Sequence, residues 1–196
     1  MNYKKIAKFI KDARHITIYN ACGLQYISNG AAIYPVFGMP RMKEMEMLNF
    51  LGLADKSNQI SVTMKDAPDW ITDITYDACD ENVLEKTGPM ILLHGDAFRT
   101  FYTESGAVVV KNSYISVVEN GIDKDMPIVH CLTDIGNCQA DAVFVGFELY
   151  AIVCPIEPKG LYNEYLKLSM QFQLAEQTKI FDKLCKAEKG ETDEEE

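Results

Sequence analysis

Asn29-Gly30 narrows what this chain can fold into more than any other pair of residues. It stands between two short runs, Leu24-Gln25-Tyr26-Ile27-Ser28 and Ala31-Ala32-Ile33-Tyr34. An Asn-Gly pair supplies the positive φ angles of a type I′ turn, so the runs are expected to pair as an antiparallel hairpin. Pro35, Gly38 and Pro40 then stop the second strand.

Further extended segments surround that hairpin. Residues 16–19 precede it, and residues 60–64 alternate as a strand. From residue 89 the chain turns mostly to strands: 90–93, 98–103, 107–111, 128–132, 142–145 and 147–154. Glu104-Ser105-Gly106 reads as another hairpin connection, and Pro155 and Pro158 end the run. Residues 41–51 read as a helix with Met42, Met45, Leu48 and Leu51 at core spacing, ended by Gly52. Met39, Met42, Met45 and Met47 in that region read as core filler or as an adaptable binding face. Asn112-Ser113 is expected to cap a short helix that runs to Glu119 and stops at Gly121. Residues 161–189 carry a broad apolar surface at helical spacing, suited to docking or to pairing with another subunit.

The N-terminal segment has the clearest charge pattern. Lys4, Lys5, Lys8, Lys11 and Arg14 recur at three- and four-residue steps, with Ile6, Phe9, Ile10 and Ala13 in between. A helix over residues 2–13 therefore has one apolar face and one cationic stripe. The formal net charge of the chain is -10, so this is a concentrated positive surface on an acidic protein. Such a surface suits a polyanion, because counterion release favours the contact without base-reading groups. It equally describes a solvated helix face. Half of the net charge lies in Glu191, Asp193, Glu194, Glu195 and Glu196, a solubilising acidic tail.

Candidate chemistry is sparse. The segment from 66 to 85 holds Asp66, Asp69, Asp73, Asp77, Asp80, Glu81 and Glu85 without a basic residue, a pattern that could attract a hard cation or be a solvated acidic face. Within it, residues 70–76 are rich in β-branched and aromatic types and read as extended. His15 ends the first helix, and His94 sits at a turn. His130 adjoins Cys131, but neighbours in a strand point to opposite faces and cannot form a nucleophile pair. Six scattered cysteines without a CxxC pair read as buried thiols. Phosphate-loop, dinucleotide, nucleophile-elbow and HExxH patterns are missing from the sequence, so no cofactor, resident metal or small-molecule substrate is implied, and an enzyme is the minority reading. No apolar run approaches a membrane span, and the expected location is the cytoplasm.

The order of elements repeats: a short extended piece, a helix of roughly ten residues, then two or three strands, starting near Met1, Phe37 and Val108. It resembles the DNA sliding-clamp family, the ring-shaped processivity factors built from βαβββ units. Residues 98–111 resemble a clamp hairpin, and Asn112-Ser113-Tyr114-Ile115-Ser116-Val117-Val118-Glu119 resembles the helix after it. Leu149-Tyr150-Ala151-Ile152-Val153-Cys154-Pro155-Ile156 resembles the closing strand. Gly30 matches the family's Asp-Gly-His-Arg turn, while Asn29 replaces the acid and the His and Arg are missing. The resemblance implies an α+β fold of antiparallel sheets with short helices in βαβββ-like units, followed here by a long C-terminal helix. The expected organisation is 1–87 and 88–158 as α+β units, 159–189 as a helix and 190–196 as a disordered tail. It also implies a non-catalytic protein that self-assembles or binds a replication partner, with Lys4, Lys5, Lys8, Lys11 and Arg14 against the backbone of duplex DNA. The alternative is a protein-interaction module acting through its C-terminal or methionine-rich helix.

Overall fold

A computed structural model describes residues 1–77, 88, 90–93, 95–103, 106–123, 125–135 and 138–156. The chain divides into a unit of Met1–Ile156 and one of Glu157–Glu196. The helix expected over 161–189 and the acidic tail lie outside the described residues.

The first unit is mixed α and β, with two sheets and a few short helices. Its first half runs α1 (Tyr3–Ala13), β1 (His15–Asn20), β2 (Gln25–Ser28) and β3 (Ala32–Pro35). Next come α2 (Glu44–Phe50), a 3-10 turn (Ala54–Gln59), β4 (Ser61–Asp66) and α3 (Asp69–Thr72). The second half holds β5 (Ile91–Leu93), β6 (Asp96–Thr103), β7 (Gly106–Lys111), α4 (Asn112–Glu119), β8 (Ile128–Ile135), β9 (Cys138–Val145) and β10 (Glu148–Val153). The large sheet has seven strands in the order β4-β1-β2-β3-β10-β9-β8, and β5-β6-β7 form a second sheet. Strands from both the 1–87 and 88–158 segments share the large sheet, so these segments have a common core.

Around the β3–β10 junction the halves mirror each other: a helix and a three-strand meander, α1-β1-β2-β3, meets α4-β8-β9-β10. Both helices cover one face. Ile6 and Ile10 of α1 and Ile115 and Val118 of α4 join Ile18, Ile27, Tyr34, Val143 and Val153 in a single buried cluster. Strand register puts these residues on one side, since Ile18 opposes Ile27, Ile27 opposes Tyr34 and Val153 opposes Ala32. The Asn2 N–H donates to the Val117 carbonyl at 3.2 Å, and the Phe9 and Tyr114 rings meet edge to face at 4.9 Å. At Gly121 a Cβ would lie 2.5 Å from the Met1 nitrogen, so glycine there serves close approach of the start of α1 to the end of α4.

Several expectations need correction. The expected sheets were antiparallel, but β4 pairs with β1 in parallel, because the chain returns from β3 through α2 and the 3-10 turn, a crossover that permits parallel pairing. The unit expected from Phe37 has α2, one strand and then α3 rather than a meander. Residues 70–76 are not a strand: Pro68 and Asp69 start the short α3, which buries Ile71 against the far face of the large sheet. Pro68 is preorganised for a helix start, and burial of Ile71 outweighs local β preference.

The hairpin forms, but its turn differs from type I′. Gly30 takes φ 90, whereas Asn29 keeps negative φ. Asn29 instead accepts the Ala31 and Ala32 N–H groups on Oδ1 at 3.1 and 3.0 Å, an Asx-type closure. Helix α2 starts three residues later than the expected Arg41. The Met42 N–H is held by Gln25 Oε1 at 2.7 Å, and the Lys43 N–H donates to Glu46 Oε2 at 2.7 Å, which fixes the first turn. Consequently Met47 and Met42 are buried and Met45 faces out.

Candidate nucleic-acid interface

Helix α1 is amphipathic in the way its residue spacing requires. Ile6, Ala7 and Ile10 are buried, and Tyr3 and Phe9 pack partly against them. Full burial of each isoleucine contributes about 1.5–3 kcal/mol, so the helix is held without any ligand. Ala13, expected on the docking face, is exposed, and Ala7 takes its place. Asn2 caps the N-terminus, accepting the Lys5 N–H at 3.2 Å. Lys4, Lys8, Lys11 and Arg14 are exposed and Lys5 is partly exposed. Among the described residues no carboxylate lies within 4.0 Å of any of the five; the ion pairs lie elsewhere, at Arg99–Glu119, Lys111–Asp96 and His130–Asp141.

The helix ends abruptly. Arg14 adopts a left-handed conformation with φ 53, the one non-glycine residue with positive φ among the described residues, and its N–H donates to the Lys11 carbonyl. That conformation lets β1 begin at His15, whose Nε2 lies 2.8 Å from Thr17 Oγ1. The Arg14 carbonyl accepts the Ser61 N–H at 3.0 Å, which brings the 3-10 turn beside the helix end. Lys56 of that turn is held below the ordinary lysine value, first by hydrogen-bond contact with the Lys11 amine and then by charge repulsion from it, with Asp55 pulling the other way. The cationic surface thus includes Lys56, which the spacing within α1 could not reveal.

The other candidates separate. His130 faces the core side and donates or accepts through Nδ1 to Asp141 Oδ1 and Oδ2 at 3.1 and 3.0 Å, while its ring lies 4.9 Å from that of Phe101 on β6. Asp141 is fully buried, 0% exposed, and was not flagged by any motif. The pair joins the two sheets. Its signal in sequence is weak: an isolated polar residue inside the apolar run 140–145. Of the acidic segment, Asp66, Asp69, Asp73 and Asp77 are described, and among the described residues no three His, Cys, Asp or Glu side chains come together as a metal site. Asp80, Glu81, Glu85 and His94 lie outside the described residues. Cys131 is buried as expected, but Cys22 is exposed in the β1–β2 turn. An open depression of about 190 Å³ lies beside Gln25, Met39 and Arg41. Gln25 is engaged there, donating through Nε2 to Asn20 Oδ1 and the Met42 carbonyl, each at 2.8 Å.

Among the described residues, no helix is long and apolar enough to cross a membrane. Compared with protein-family models, curated proteins and solved structures, the chain matches none.

Proposed function

We propose that this chain is a non-catalytic, clamp-like protein that contacts the nucleic-acid backbone without reading sequence and assembles with itself or a replication partner. The observation that carries the proposal is the outer face of α1, where Lys4, Lys8, Lys11 and Arg14 are exposed and no carboxylate neutralises them among the described residues. The order of elements supports it: β7-α4-β8-β9-β10 runs βαβββ, and α1 and α4 lie side by side on one sheet face. Clamps present basic helices to duplex DNA in that manner. Phosphate contacts of this kind position a protein without specifying sequence.

Fluorescence anisotropy with duplex DNA at low salt tests the reading. If about four phosphates are neutralised, the logarithmic salt slope is about −3.6. A variant with Lys4, Lys8, Lys11 and Arg14 all changed to Glu is expected to lose binding by more than about tenfold. Identical curves for wild type and variant would remove the nucleic-acid contact from the proposal.

A second reading rests on Met39 and Met45, which are 42% and 51% exposed and form an adaptable apolar surface near α2 for a protein partner or second copy. Light scattering of wild type and Met39→Ser/Met45→Ser checks the second-copy arm, and equal masses at all concentrations would sink it.

A further inference from the structure

We infer that Lys11, Arg14 and Lys56 form a single binding site for a phosphate-class oxyanion at the C-terminal end of α1. The inference deepens the backbone-contact reading and rests on it for the biological ligand. Its basis is that two separate elements bring cations to one place. Lys11 lies in the last turn of α1, Arg14 follows the helix, and Lys56 comes from the 3-10 turn that the Arg14–Ser61 backbone bond holds alongside.

The helix dipole accounts for Lys11 and Arg14, because cations are favoured at a helix C-terminus. It does not account for Lys56, which belongs to another element and meets the Lys11 amine closely enough to bind its own proton less tightly. Two ammonium groups held together without a bridging anion repel one another. An oxyanion between them reverses the sign of that contact, accepting hydrogen bonds from both amines while Arg14 offers its planar donor fork. The left-handed Arg14 is a further sign, since glycine is the usual residue there and an arginine keeps a guanidinium at the cost of backbone strain. Lys4, a full two turns away along α1, belongs to the same face but not to this cluster.

Inorganic tripolyphosphate is the probe, followed by calorimetry at low salt and by NMR titration of the lysine side chains. Expected results are saturable binding and an upward move of the Lys56 titration with little change at Lys4. Lys11→Gln and Lys56→Gln should each weaken binding at least about tenfold and Lys4→Gln less than about twofold, with charge-assisted hydrogen bonds lost only in the first two. Thermal melts of Lys56→Gln should show no loss of stability, since a like-charge contact is removed. Equal effects of the three substitutions, or no saturation, overturn the site even if duplex DNA binds. Conversely, an intact tripolyphosphate pattern with no duplex binding overturns the backbone-contact reading and leaves the oxyanion site standing.

Discussion

The two halves of the large sheet share one plan yet use their helices oppositely. Helix α1 turns cations to solvent, whereas α4 has one charged residue, Glu119, and that residue is bound. Arg99 of β6 grips Glu119 with two bonds of 2.7 and 3.2 Å and reaches Asn112 at 2.9 Å. The difference comes from the second sheet. Phe101 and Val110 of β6 and β7 enter the same buried cluster as α4, so α4 is packed on more than one side while the outside of α1 faces solvent. A helix of the same plan is therefore free to carry charge only where nothing else docks.

That contrast makes substitutions near α4 costly to stability and substitutions on the outer face of α1 costly only to binding. His130→Ala should have the largest effect, about 3 kcal/mol, because it strands the buried Asp141 carboxylate and loosens the Phe101 contact between sheets. Denaturant unfolding measures it, and a loss below about 1 kcal/mol would show that the pair does not hold the sheets together. Arg99→Ala should cost about 2 kcal/mol through its bidentate bond, whereas Lys4→Ala or Lys8→Ala should change stability by less than about 0.5 kcal/mol. Comparable losses from Arg99→Ala and Lys8→Ala would erase the distinction between the halves.

Smaller effects sharpen the comparison. Thr100 Oγ1 and Ser113 Oγ are buried without a hydrogen-bond partner. Thr100→Val should therefore raise stability by up to about 1 kcal/mol, and Ser113→Ala should be neutral or better. A loss of about 1 kcal/mol at Ser113 would instead indicate the capping role expected from sequence. Arg14→Gly should gain about 0.5 kcal/mol from relief of the left-handed backbone, read as a higher Tm together with weaker polyanion binding. Lys56 carries the smallest term. Its folded proton affinity is depressed below 10.5, so stability should rise slightly as pH climbs toward that value, and the rise should vanish in Lys56→Gln.

Elements with strong local signals were legible. Alternation, turn residues and helical spacing placed α1, β1 to β3, α4 and most later strands within a few residues of their positions. The errors arose where tertiary contacts compete with local preference: Gln25 delays α2, and packing of Ile71 turns a β-like stretch into α3. At the candidate site the five cations of α1 could be read from spacing, but Lys56 could not. It is forty-five positions beyond Lys11 in the chain, and only the Arg14–Ser61 bond brings its turn alongside.

Asn29-Gly30 and the three- and four-residue steps of α1 determined by themselves that a hairpin and an amphipathic cationic helix exist, because turn closure and helical periodicity depend on neighbours along the chain. Which surfaces meet was decided by tertiary structure alone. The parallel β4, the junction of β3 with β10, the buried His130–Asp141 pair and the convergence of Lys11 with Lys56 all join residues distant in sequence. Their formation depends on burying apolar area across the whole sheet, a collective quantity that no local pattern contains.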